Sequence, residues 1–196
     1  MESLEKAKRK SAHKAIKEFL KEDYLEIIIN KFAFSDNFQK KASIVRVEFV
    51  EKEANETRTF KIRKQGNGAI DALFKSLLKH YSRKYKSLNH ISFKGFEVSP
   101  DFKKTKTSGS DAMAEVKVVF SDSADELMTF YNKNSSVLSA TVLTIVKAFE
   151  FYINYEKAYS KLKILIEDAK DRDRGDLLQR YTYQLSCIIN HEIIVE

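Results

Sequence analysis

Gly66-Asn67-Gly68-Ala69-Ile70-Asp71-Ala72-Leu73 is a glycine turn that feeds directly into an amphipathic helix, and a weakened copy of its setting recurs about seventy residues later. Upstream, Ala42 to Val50 reads as a strand, Glu53 to Glu56 as a polar turn and Thr57 to Arg63 as a second strand; downstream, a helix is predicted from Ala69 to about Tyr85. The second copy repeats this grammar: a strand from Ala112 to Phe120, a turn over Ser121 to Asp125, an extended stretch from Glu126 to Tyr131 and a helix from about Ser136. Val45-Arg46-Val47-Glu48-Phe49 aligns with Val116-Lys117-Val118-Val119-Phe120 at an offset of 71 residues, and Ala72 aligns with Ala140 at 68. The slip falls in the intervening turn. Self-similarity of this kind predicts repeated supersecondary units closing over one core.

The turn has a chemistry of its own. Glycines on either side of Asn67 permit a positive φ and close approach of another backbone, and the first N–H groups of the following helix have no internal partners. Such a helix start favours anions, and an amino-acid carboxylate is a suitable guest. The plainer reading is that Asn67 caps the helix and Asp71 complements its dipole, the cap being worth about 1 kcal/mol. Nucleotide binding is disfavoured, since neither Gly-x-Gly-x-x-Gly nor Gly-x-x-x-x-Gly-Lys occurs.

Three motifs in order resemble one family. Gly66-Asn67-Gly68 with Ala69 to Leu73, Ser108-Gly109-Ser110-Asp111-Ala112-Met113-Ala114-Glu115-Val116, and Ser139-Ala140-Thr141 are similar to signatures of the C-terminal regulatory domain of 2-isopropylmalate synthase and citramalate synthase, across roughly residues 42 to 154. The resemblance implies an α+β module of two tandem βββα units related by a pseudo-twofold axis. It implies a homodimer that binds leucine or isoleucine as feedback effector, with a catalytic synthase subunit as a further partner and no cofactor. Catalysis in those enzymes belongs to a separate TIM barrel, which needs about 250 residues; this chain has 196. No catalytic residue and no metal site are therefore expected here.

Carried over position by position, the implied effector site comprises Gly66, Asn67, Gly68 and Ile70 at the helix start, Ser92, Gly95 and Ser99 on the next strand, and Ala112. Two features depart from the family. Lys94-Gly95 stands where relatives often carry Asp-Tyr, and Tyr131-Asn132-Lys133-Asn134-Ser135-Ser136 replaces the glycines before the second helix. A dimerising module without an effector, or an accessory subunit of a synthase, is the alternative these changes leave open.

The flanks read as helical arms, giving a division into residues 1–38, 39–155 and 156–196. Leu4, Ala7, Ala12, Ala15, Ile16, Phe19 and Leu20 mark one apolar face, and residues 3 to 33 hold no glycine or proline, which predicts helix broken near Lys21 to Asp23. The second-copy helix is expected to run to about Ala169, break at Asp171 to Gly175, and return as a final helix to about Asn190. Leu162, Ile164, Leu165, Leu177, Leu178, Tyr181, Leu185 and Ile188 would bury within that hairpin or against a second subunit.

Composition bounds the remaining classes. With 43% hydrophobic and 32% charged residues the chain reads as a cytoplasmic protein, and the apolar run Ile27 to Ile29 is too short for a bilayer. Cys187 precludes an internal disulfide, and His13, His80, His90 and His191 lack metal-ligand spacing. A net charge of +7 and the clusters Lys6 to Lys10 and Lys103 to Lys106 raise nucleic-acid binding as a runner-up. Twenty-eight interleaved acidic residues and the lack of any nucleic-acid motif weigh against it.

Overall fold

A computed structural model describes residues 2–39, 42–100, 113–122 and 125–189. The elements run α1 (Glu2–Leu20), β1 (Glu26–Asn37), β2 (Ala42–Glu53), β3 (Glu56–Gly66), α2 (Ala69–Tyr81), β4 (Ser92–Pro100), β5 (Ala114–Ser121), β6 (Leu127–Asn134), α3 (Val137–Asp171) and α4 (Gly175–Ile189). The sheets are two three-stranded antiparallel meanders, β1-β2-β3 and β4-β5-β6, each followed by a helix. These are two tandem βββα units, with helices at both termini.

The helix expected through residue 33 is corrected by β1. The helix stops at Leu20, a 3-10 turn covers Lys21–Asp23, and residues 26–37 are the first strand of the first unit, paired with β2. Ile27, Ile28 and Ile29 are β-branched, and Phe32 and Phe34 alternate after them, so the segment gains more from a pleated surface than from a helix. The helix after the glycine turn ends at Tyr81 rather than Tyr85, and a 3-10 segment follows over Lys86–His90.

The two ladders share one irregularity. In the first, Ile29 opposes Phe49 and Lys31 opposes Glu48, leaving Asn30 without a rung; in the second, Phe93 opposes Phe120 and Gly95 opposes Val119, leaving Lys94 without one. Each is a one-residue β-bulge that bends its strand. Their match confirms that Phe49 and Phe120 are equivalent, as the 71-residue offset predicts.

The chain divides into two compact units. The first spans Glu26–Lys52 and Glu56–Glu150 and contains both sheets, α2 and the start of α3. Val45, Val47 and Phe49 on β2 and Val116, Val118 and Phe120 on β5 are all buried at alternate positions, each row facing the helical side. Phe49 stacks on Phe60 and meets His80 edge-on, while Phe74 of α2 reaches Phe120 at 5.8 Å and Phe149 of α3 at 5.5 Å between ring centroids. The two copies therefore share one aromatic interior.

The second unit comprises the residues up to Leu25, Glu53–Asn55 and those from Phe151 onward. Ala12, Ile16 and Leu20 form the buried stripe of α1, which packs against α4. Asn154 is fully buried and holds Leu25 twice: its Oδ1 accepts from the Leu25 N–H and its Nδ2 donates to the Leu25 carbonyl, both at 2.8 Å. Lys157 donates to the Asp23 carbonyl and pairs with Glu53, and Lys161 pairs with Asp23 at 2.8 Å. Tyr24 hydroxyl and His13 Nε2 lie 2.9 Å apart, which gives that histidine a structural partner. Of the residues expected to bury in the terminal hairpin, Leu162 and Ile188 are fully buried, Ile164 is 66% exposed, and the others lie between.

α3 alters the reading of the apolar runs. By length and composition it could cross a membrane, yet 67% of its most apolar stretch is buried within the protein. Ala140, Ile145, Val146, Phe149 and Ile153 are spent on the interior.

Candidate functional site

The glycine turn opens onto a cavity of about 620 Å³ lined by Asn67, Gly68, Ala69, Ile70, Asp71, Phe74 and Phe93. Its walls have distinct characters. Ile70 and Phe74 stand one turn apart on α2, and Phe93 enters from β4 and meets Phe74 edge-on at 6.3 Å. The aromatic rings and Ile70 give an apolar side, and the turn gives a polar one.

The helix start departs from the capping reading at Asn67 and keeps Asp71 in its first turn. Gly68, not Asn67, is the N-cap, and it brings no side-chain acceptor to the first turn of α2. Asp71 supplies the local closure instead: its Oδ2 accepts from the Asn67 N–H at 3.0 Å and from Lys75 Nζ at 2.8 Å. Partial burial pushes the Asp71 carboxyl upward, but the Lys75 hydrogen bond, the Asn67 N–H and the Lys75 charge outweigh it and hold the group below its ordinary range. A fixed carboxylate thus stands beside first-turn N–H groups that lack a helical acceptor. One edge of the cavity can receive a cation and the adjacent edge an anion.

Of the two expectations for the glycines, close approach of a backbone is met and a positive φ in the left-handed region is not. None of the described glycines lies in the left-handed region, and Gly68 is extended at φ 169° with no atom near the place a Cβ would occupy. Gly66 is needed for proximity. A Cβ there would lie 2.7 Å from the Ala72 nitrogen and 2.8 Å from its Cα, so only glycine lets the end of β3 cross the first turn of α2.

Of the expected residues, Asn67, Gly68 and Ile70 line the cavity, and Gly66 supports its turn. Ser92, Gly95 and Ser99 do not join them. Ser92 precedes Phe93 and falls on the opposite face by strand alternation, and the bulge at Lys94 carries Gly95 and Ser99 to that outer face as well, opposite Val119 and Glu115. Ala112 lies outside the described residues, as do the rest of the segment 108–112 and the lysine cluster 103–106. Asp71, Phe74 and Phe93 were missed as site residues. The i, i+4 spacings of Asn67 with Asp71 and of Ile70 with Phe74 were available signals for two of them.

The second helix start is closed. Ser136 Oγ accepts from the Ser139 N–H at 3.2 Å, and Asn134 Oδ1 accepts from the Ser136 N–H at 3.0 Å. These are the side-chain caps that α2 lacks. The neighbouring cavity of about 400 Å³, lined by Ile29, Phe32, Asn134, Leu138, Ser139, Val142 and Leu143, contains no charged group.

No curated protein matches the chain. The family model of the LeuA allosteric (dimerisation) domain matches it over residues 8–153, which takes in β1 to β6, α2, the glycine turn and the cavity. With the match covering most of its length and both βββα units, the chain belongs to the LeuA allosteric (dimerisation) domain family.

Proposed function

We propose that this domain regulates a 2-isopropylmalate or citramalate synthase by binding leucine or isoleucine in the cavity at the start of α2. The observation that carries this reading is the pairing, in one cavity, of an apolar wall with a carboxylate beside a helix start. The effector ammonium would sit at Asp71, its carboxylate at the first-turn N–H groups of α2, and its branched side chain against Ile70, Phe74 and Phe93. Those contacts match a zwitterion with an aliphatic tail. The cavity is larger than one such amino acid, and we read the surplus as room for a second copy of the chain, so that a homodimer narrows the site. Occupancy would then bias how the two copies meet, the coupling that allostery requires. The synthase assignment carries a cytoplasmic setting with it.

A second reading rests on the Asp71–Lys75 pair. Because Lys75 already neutralises that carboxylate, the domain could serve as a dimerising or accessory subunit without an effector. Titration with leucine, isoleucine and valine separates the two. Ligand at 100 times its dissociation constant should add about 2.7 kcal/mol to unfolding stability. No response to any of the three would leave only the dimerisation reading, which the solution mass tests separately.

A further inference from the structure

The outer faces of the two sheets differ in charge in a way the duplication makes measurable. On the first sheet, Lys31, Ala33, Arg46, Glu48, Lys61 and Arg63 line a groove of about 360 Å³ across all three strands. Four cations there face one carboxylate, Glu48, which pairs with Lys61 at 3.1 Å. Lys31, Arg46 and Arg63 have no ion-pair partner among the described residues. On the second sheet the outer cations are matched: Lys117, the equivalent of Arg46, pairs with Glu97 at 3.5 Å, and Lys133 pairs with Glu115 at 2.9 Å.

The registers show where the balance was changed. Arg46 opposes Ala33 in the first ladder, whereas its equivalent, Lys117, opposes Glu97 in the second. Lys31 stands at the rung after the bulge, where the second ladder has Gly95. Relative to β4, the edge strand β1 lacks one carboxylate and carries one more cation on the same face. Adjacent strands lie about 4.8 Å apart, so uncompensated like charges on neighbouring strands repel and cost stability. An anion seated among them removes that cost.

We propose that this groove is a binding site for a small phosphate-bearing anion carrying at least two negative charges, separate from the cavity at the start of α2. Two guanidinium groups and an ammonium from three strands suit several phosphate oxygens at once, since arginine offers planar, paired donors. The methyl of Ala33 adds an apolar contact for the remainder of the molecule. The volume is that of a small-molecule site rather than of an extended track.

The test is calorimetric titration of the full chain with tripolyphosphate and with ADP, at low and at physiological salt. A twenty-nucleotide single-stranded oligonucleotide serves as the third probe. Saturable binding of one anion per chain is expected, weakened at least tenfold in the Arg46→Gln/Arg63→Gln double variant and unchanged in Lys117→Gln. Tripolyphosphate binding alone points to free phosphate, and ADP binding at least as tightly, despite its smaller charge, points to a nucleotide; either supports the proposal. Lack of saturation with both small anions overturns it, as does equal weakening by Lys117→Gln. Oligonucleotide binding tighter than both, with the same arginine dependence, replaces it with a nucleic-acid surface. Because both arginines are exposed, a thermal melt of the double variant matching the parent shows that any loss is local.

Discussion

The two βββα units place the same kinds of residue at the same interior rungs and different ones wherever solvent reaches. Phe49 and Phe120 oppose Ile29 and Phe93 on either side of matching bulges, and both are fully buried. At the helix starts the likeness ends: α2 begins on a bare glycine beside a carboxylate, while α3 begins on a serine that satisfies its own first turn. The shared interior tolerates little change, because close-packed side chains feel the loss of even one methylene. Surface chemistry carries no such constraint. One unit starts its helix on an open turn and the other on a closed one.

The largest effects should come from the equivalent core phenylalanines. Phe49→Ala and Phe120→Ala are each expected to cost about 3–5 kcal/mol in chemical denaturation. A cost below about 1 kcal/mol for either would show that the two interiors do not bear load alike. Next come the glycines of the turn. Gly66→Ala must push a methyl against the backbone of Ala72 and should cost about 1–3 kcal/mol, while Gly68→Ala, which meets open space, should stay within about 0.5 kcal/mol. Equal effects at the two positions would contradict the crossing of β3 over α2.

Smaller still is the cap on α3. Ser136→Ala should cost about 1 kcal/mol by urea denaturation, with no equivalent loss available at Gly68. The smallest effect is a pH dependence at Asp71. Its carboxyl is held below its ordinary value of 3.8, so the stabilisation it contributes is complete above that value and is lost as pH falls through the depressed folded one. Asp71→Asn should therefore flatten the acid limb of stability measured below about pH 4, and an unchanged limb would mean that the Asn67 and Lys75 contacts do not form in solution.

Much of this architecture can be read directly from residue order. The Gly66 turn, the strand from Ala42, the hairpin at Glu53 to Glu56 and the helical hairpin broken near Gly175 all carry local punctuation. β1 did not, because three isoleucines in a row satisfy helical and pleated patterns equally and only pairing with β2 decides between them. The cavity lining was legible where it is local, at Asn67, Gly68 and Ile70. Phe93 reaches the cavity from another strand, and no spacing within the sequence announces that meeting. That Gly95 and Ser99 fall on the outer face has a related cause: the bulge that reverses their parity is a property of the ladder, not of the strand alone.

The paired bulges also set rules for insertions and deletions. Asn30 and Lys94 are exposed and answer to no opposite residue, so many side chains should serve at either place. Excising either residue would close its bulge into a regular ladder and leave Phe32 or Phe96 on the interior side, whereas a deletion elsewhere in β1 or β4 would trade inside for outside at every position beyond it. At these two positions a strand can lose a residue and keep its bearings, a freedom that none of its paired positions has.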